Sequence, residues 1–208
     1  MASAIRYHEG DISAADAARY TGAIAIDTET LGLIPRRDRL CVVQLSSGDG
    51  SADVIRIAAG QKEAPNLVAM LEDPNRQKIF HYGRFDIAVL FHTFSVTTTP
   101  VFCTKIASRL TRTYTDRHGL KENLKEMLDV DISKQQQSSD WAAETLSQAQ
   151  LEYAASDVLH LHALRDKLMA RLVRDGRLAH AEACFTFLPT RAKLDLIGWE
   201  ETDIFAHS

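Results

Sequence analysis

The sequence lacks several features that would each have indicated a particular class of protein. Its three cysteines, Cys41, Cys103 and Cys184, are far apart and form no Cys-x₂-Cys pair, which argues against a zinc site. No apolar run approaches the length that crosses a bilayer. Residues Met1 to Asp11 contain no apolar core flanked by basic residues, so no secretory signal is predicted. Free thiols without a signal predict a cytoplasmic protein.

An excess of positive charge is also missing, because the formal net charge is −4. Proteins that grip long nucleic acids neutralise many phosphates and usually carry a basic face. Basic residues do cluster locally, at Arg36, Arg37 and Arg39 and again between Arg109 and Lys121. A nucleic-acid substrate is therefore expected only through a local patch, or if the substrate is short.

The patterning that is present predicts one α/β domain spanning 1–208. Five short apolar segments predict strands, at residues 23–27, 40–45, 52–57, 78–80 and 101–103. The first three are joined by short connections, which indicates an antiparallel meander. Helices are predicted at 12–20, at 65–71 before Pro74, after Gly83, at 104–111, and from Gly119 almost to the end.

Two acids follow the first predicted strand, as Asp27 and Glu29 one residue apart. In an extended chain both side chains point to the same side. Two unit charges about 4 Å apart repel by about 4 kcal/mol at an effective dielectric near 20. Such a pair needs a cation or a retained proton, unless it is only a solvated strand end; hard oxygen ligands suit Mg²⁺ or Mn²⁺.

Further acids downstream decide between these readings. Asp86 falls in the first turn of the helix after Gly83, where an acid also gains from the helix dipole. Tyr153 and Asp157 lie four residues apart and share one face of a helix that Ser147 caps. Each of these signals is weak alone, and together they supply a candidate site of four acids and a tyrosine.

The order of these pieces resembles the DEDD exonuclease superfamily, in the subgroup with a tyrosine in the last motif. Nearly the whole chain is similar to ribonuclease D, including Gly119-Leu120-Lys121 and the segment from Leu151 to Val158. Three stretches resemble the compact nano-RNase C family more closely: 39–50, 133–141 and 203–208. The resemblance implies an RNase H-like fold with a mixed five-stranded sheet flanked by helices.

The same resemblance implies a 3′-5′ exoribonuclease that hydrolyses short RNA, dinucleotides included, to nucleoside 5′-monophosphates with two divalent cations, Mg²⁺ or Mn²⁺. Two cations about 3.5–4 Å apart activate a water and stabilise the charge on the attacking and leaving oxygens. Asp27 would bridge them, with Glu29 and Asp157 completing the first site and Asp86 holding the second. Tyr153 would orient the water, because an ordinary tyrosine is too weak a base to be ionised near neutrality.

Substrate contacts are predicted for five further side chains, and a core or sheet-surface role remains open for most of them. Leu31 is either a wedge between the last two bases or a core leucine. Gln44 faces the acids if the second strand pairs antiparallel with the first. His81 and Trp141 either touch phosphate or base or are buried, and Thr28 lies between the two first acids.

The C-terminal segment, 185–208, carries more large apolar residues than a frayed chain end would. It either docks on its own domain or forms an interface in a homo-oligomer, of which the family resemblance implies a ring. Two alternatives to a short-RNA exonuclease stay open: a ribonuclease D-like enzyme acting on longer RNA or DNA 3′ ends, and a module that binds nucleotide ends without cutting them.

Overall fold

The fold is a mixed six-stranded sheet covered by helices, seen in a computed structural model that describes residues 4–207. The ends of the predicted domain, residues 1–3 and 208, lie outside the described residues. The strands are β1 (Ala4–Glu9), β2 (Ile24–Thr30), β3 (Leu40–Ser46), β4 (Ser51–Arg56), β5 (Lys78–Phe80) and β6 (Val101–Cys103). Their order across the sheet is β1-β4-β3-β2-β5-β6.

The predicted meander is confirmed, because β3 pairs antiparallel with both β2 and β4. The remaining pairs, β1 with β4, β2 with β5 and β5 with β6, are parallel. The α/β fold class is thus confirmed, but the predicted count of five strands was wrong. The missed strand β1 offers only Ile5 and Tyr7 in alternation with polar residues, and Arg6 and His8 hold it to Asp53 of β4 by polar contacts of 2.9 and 2.8 Å.

Eight α-helices are described: α1 (Ala14–Ala17), α2 (Pro65–Glu72), α3 (Arg84–Phe94), α4 (Thr104–Thr111), α5 (Leu120–Leu128), α6 (Gln148–Leu159), α7 (Leu161–Arg174) and α8 (Leu178–Leu194). A π-helical turn, Asp195–Trp199, continues from α8. The helix predicted at 12–20 is only four residues long, although Ser13 caps it as expected. Within residues 4–207 no helix is both long and apolar enough to span a membrane.

The position of α6 matters most for function. It packs on β2, β3 and β4 and closes a small core of its own, formed by Cys41, Val42, Val54, Trp141, Leu146 and Ala154. Ser147 begins the helix with a capping box, accepting from the Gln150 backbone N–H while the Gln150 side chain accepts from the Ser147 N–H. The start of α6, and so the position of its later turns over β2, is fixed by this local interaction.

The C-terminal segment divides into a docked and an exposed part. Phe185, Leu188 and Ala192 of α8 are buried in the main core, and the Phe185 ring lies 4.7 Å from that of Phe102. Beyond them Ile197 and Phe205 are 71% and 77% exposed. The first part therefore packs on its own domain, whereas the second part leaves apolar surface uncovered.

Candidate active site

Two of the acids, Asp27 and Glu29, lie on the central strand β2, which is longer than the sequence predicted. Alternation along the strand turns both side chains toward the face covered by α6. Carboxylate oxygens of Asp27, Glu29 and Asp157 all lie within 4.8 Å of one another. The strand and the helix thus bring together three acids that are up to 130 residues apart in sequence.

The fourth predicted acid, Asp86, lies outside this group of three but next to it. Thr28, between the two strand acids, donates a 2.7 Å hydrogen bond from its hydroxyl to Asp86 Oδ1. The charge of Asp86 also acts on Asp27, where it is the largest cause of a raised pKa after burial. Thr28 therefore contacts an acid directly and ties the first turn of α3 to β2.

Burial raises the pKa of all four acids, and repulsion from neighbouring acids adds to the rise at Asp27, Glu29 and Asp86. Burial raises the pKa of Glu29 to about 9 and that of both Asp86 and Asp157 to about 7. The pKa of Asp27, the acid that the other three surround, is raised well above its usual range by burial and by their charges. A group of four such acids is costly without protons or a cation to offset the repulsion.

Tyr153 lies one turn before Asp157 on α6 and lines the same cleft. Burial, with a further contribution from Asp157, raises the pKa of its hydroxyl above the ordinary value. The phenol therefore stays protonated near neutrality and acts as a hydrogen-bonding group. Its ring packs against Trp141 at a centroid distance of 5.9 Å, which restricts how Tyr153 can move.

The cleft above the acids has a volume of about 300 Å³. Three lysines that the site prediction did not include, Lys105, Lys121 and Lys134, line it together with Tyr82. Lys105 Nζ lies 4.1 Å from the centroid of the Tyr82 ring. Positive charge therefore faces the acids across an open cleft, an arrangement that accepts a phosphate. Only Lys121 was noted in the sequence, as part of a basic cluster; the others carry no local signal.

The five predicted substrate contacts fall in different places. Thr28 and His81 line the cleft. Leu31 is 55% exposed just beyond β2, so it is available to a ligand. Gln44 and Trp141 are 0% and 2% exposed and lie beneath the acids rather than in the open cleft.

His81 is held in its neutral form. Burial, aided by the charge of Lys105, lowers its pKa to about 3, and its Nδ1 lies 2.9 Å from Thr104 Oγ1. The neutral ring has no charge with which to balance a phosphate. Among the lysines of the cleft, Lys121 pairs with Asp131 at 2.9 Å and Lys134 with Glu122 at 3.6 Å.

Comparison with known proteins gives one consistent result. Residues 11–173 match the 3′-5′ exonuclease family. A nuclease solved in its apo form is 88% identical, with a TM-score of 0.98 and 100% of both chains covered. Brucella melitensis NrnC was solved with bound Mg²⁺ and bound to pGG, at 67% and 68% identity and TM-scores of 0.94 and 0.95. In both cases 99% of this chain and 100% of the other are covered.

Ribonuclease D of Gluconacetobacter diazotrophicus is 35% identical over 155 residues, which are 74% of this chain. The chain spans only 39% of the length of that relative. The match to the exonuclease family, residues 11–173, contains all four acids and Tyr153.

Proposed function

Because the chain belongs to the ribonuclease D-like family of 3′-5′ exonucleases, and within it to the NrnC type, we propose that it is a two-metal-dependent 3′-5′ exoribonuclease that hydrolyses short RNA to nucleoside 5′-monophosphates. One observation carries the proposal. Carboxylate oxygens of Asp27, Glu29 and Asp157 lie within 4.8 Å of one another, with Asp86 and Tyr153 beside them.

The donor set fits divalent cations of the hard class. It consists of carboxylate oxygens only, which Mg²⁺ and Mn²⁺ prefer. Burial raises the pKa of every acid, and repulsion between the acids adds to it at Asp27, Glu29 and Asp86, which supports a cation at this site. Asp27, Glu29 and Asp157 would hold one ion and Asp27 with Asp86 a second. Bound there, the ions supply an activated water and stabilise the oxygens at the reacting phosphorus.

Tyr153 is proposed to orient the attacking water rather than to remove its proton. The pKa of its hydroxyl is raised by burial, so the group is protonated at working pH. A protonated phenol donates one hydrogen bond and accepts another, which suits the fixing of a water beside Asp157. Trp141, packed on the Tyr153 ring, limits the rotation of the phenol and is proposed to act through it.

A short substrate is supported by the size and charge of the cleft. About 300 Å³ is at the low end of sites for small molecules. Lys105, Lys121 and Lys134 supply a local positive charge on a chain of net charge −4. Leu31, exposed at the rim, is proposed as the wedge that separates the last two bases. The relative bound to pGG is consistent with a dinucleotide substrate.

A homo-oligomer is proposed from the apolar surface left uncovered by the fold. Leu33, Ile197 and Phe205 are 84%, 71% and 77% exposed, and Trp199 is 46% exposed. Exposed apolar groups of this size mark interaction surfaces when they are contiguous. Leu33, Leu196 and Tyr82 line one pocket, and Tyr82 also lines the acid cleft. A second copy covering this surface would therefore also narrow the entrance to the acid cleft. The three free thiols support the cytoplasm as the compartment.

The deciding experiment follows product lengths from an RNA dinucleotide, a longer RNA and a DNA oligomer of matched sequence, with Mg²⁺ and with chelator. We expect Mg²⁺-dependent monophosphate release that is fastest on the dinucleotide. Faster hydrolysis of the longer RNA or the DNA would favour the ribonuclease D-like alternative. Binding of all three oligonucleotides without cleavage, in the presence of Mg²⁺ or Mn²⁺, would favour the non-cutting binding module.

A matched pair of variants tests the charge of the cleft. Lys105→Ala should raise KM for the dinucleotide and weaken its dependence on salt, because one phosphate partner is lost. Lys167→Ala removes an exposed lysine of α7 and serves as the control. Equal KM values for both variants would remove Lys105 from the substrate site.

A further inference from the structure

Gln44 of β3 is a buried amide without a hydrogen-bonding partner. The side chain is 0% exposed, and neither Nε2 nor Oε1 has a partner among residues 4–207. Buried amides are nearly always paired with protein groups, water or ions. An apolar residue of similar length would fill the same space without this cost, so the amide needs an explanation.

Its position in the sheet indicates where the partner lies. Gln44 stands directly opposite Asp27 in the antiparallel β2–β3 register. Residues paired in this way have their side chains on the same face, with Cβ atoms about 4.5–5.5 Å apart. The next pair, Thr28 and Val43, faces the other side, where Thr28 bonds Asp86. Gln44 therefore lies under the acid group, on the face that α6 covers.

Asp27 has no side-chain donor among residues 4–207. Asp86 receives the hydroxyl of Thr28, and Asp157 interacts with the hydroxyl of Tyr153. For Asp27 the hydrogen bond that stabilises the charged form comes from the Thr28 backbone, and Glu29 has no such bond. Of the two acids without a side-chain donor, Asp27 is the one that stands opposite Gln44 in the sheet.

Resting on the proposed two-metal function, we propose that Gln44 is a positioning residue. Its Nε2, which is not within hydrogen-bond distance of a partner here, donates a hydrogen bond to the Asp27 carboxylate once that carboxylate binds metal, and so fixes Asp27 as a ligand. Trp141 supports the assignment, since its buried indole N–H is also unpaired among the described residues. Trp141 packs with Val42 and Val54, which flank Gln44 on the same face. The indole N–H does not contact Oε1 directly, but it is a donor in the same layer that one buried water would connect to Oε1.

The chemistry explains why an amide suits this position. A methionine would leave Asp27 free to rotate, and a glutamate would add a fifth acid to a group that already repels itself. A lysine or arginine would neutralise Asp27 and compete with the cation for it. A neutral donor orients the carboxylate while leaving its charge for the metal.

The test measures metal binding without substrate, by calorimetric titration of the full chain with Mn²⁺ and Mg²⁺. Gln44→Met keeps the length of the side chain and removes its polar atoms, and we expect metal affinity to fall about 10–100-fold. Gln44→Glu should not restore it. Leu45→Met, at the next buried position of β3 but on the opposite face, is the control and should bind metal as the unchanged protein does.

The possible outcomes distinguish the role of Gln44 from the proposed function. Unchanged metal affinity in Gln44→Met, whatever its melting temperature, would overturn the role of Gln44 and leave the proposed function intact. If the unchanged protein bound neither metal, the proposed function itself would fail. Should Gln44→Met not fold, a crystal structure of the unchanged protein with Mn²⁺ decides: Nε2 within hydrogen-bond distance of an Asp27 oxygen supports the proposal, and Nε2 bonded elsewhere overturns it.

Discussion

Removing divalent cations should make the stability of the protein fall as the pH rises from 6.5 to 8. Glu29, Asp86 and Asp157 have pKa values raised to about 9, 7 and 7 in the folded chain. Each folded-state pKa lies above the unfolded value, so the folded chain holds protons that the unfolded chain has released. The stability that these groups contribute is present at low pH and is lost as the pH rises through the folded pKa.

The pH window is chosen so that other groups do not mask the effect. Burial lowers the pKa of His81 to about 3, and a group of this kind adds stability as the pH rises, up to its ordinary value of 6.5. Burial lowers the pKa of Lys78 to about 8, so its opposing contribution begins above that pH. Between the two limits the acids dominate.

The expected magnitude follows from the shift of Glu29. It stays protonated in the folded chain and ionised in the unfolded chain across 1.5 pH units, which at about 1.4 kcal/mol per unit gives about 2 kcal/mol. Asp86 and Asp157 titrate within this window and together add about 1.5 kcal/mol, and Asp27, whose pKa is also raised, adds to the fall. A loss of at least about 3.5 kcal/mol lowers the melting temperature of a chain of this size by about 7–14 °C.

The assay is thermal unfolding followed by circular dichroism at pH 6.5 and pH 8, with chelator and with saturating Mg²⁺. Glu29→Gln should reduce the fall seen with chelator by about 2 kcal/mol, whereas Glu152→Gln, an exposed glutamate on α6, should keep it. Mg²⁺ should also reduce the fall, because the cation holds the carboxylates in their ionised form. A flat profile with chelator, or the same slope in Glu29→Gln as in the unchanged protein, would refute the reasoning.

Three further predictions address the site and the surface. Asp27→Asn should abolish monophosphate release, and in chelator it should melt no lower than the unchanged protein. Measurable turnover of Asp27→Asn with Mg²⁺ would contradict the role of Asp27 as bridging ligand. The control Asp166→Asn, on the exposed side of α7, should hydrolyse RNA normally. Tyr153→Phe should lower kcat about a hundredfold without abolishing metal binding, and a wild-type kcat would reduce the tyrosine to a packing residue. Phe205→Asp, on the exposed part of the C-terminal segment, should lower the mass measured by light scattering, and an unchanged assembly would argue against that segment as the interface.

Much of the fold was predictable because its signals are local. The apolar runs of β3 and β4 and the short turn between them predicted the meander, and Ser147 predicted the start of α6. Strand β1 was missed because its local signal is short and its partner is distant. Only Ile5 and Tyr7 alternate with polar residues, and the Asp53 carboxylate that holds Arg6 and His8 lies more than forty residues away.

The sequence by itself determined which residues are the candidates for the chemistry, since Asp27 and Glu29 share one side of an extended chain and Tyr153 and Asp157 one face of a helix. These spacings are properties of the local backbone. Only the tertiary structure decided how deeply the acids are buried and which lysines face them across the cleft. It also decided that Gln44 and Trp141 lie beneath the acids rather than in the cleft. Burial depth and pairing register depend on contacts between distant segments, and so do the raised pKa values that make a cation favourable here.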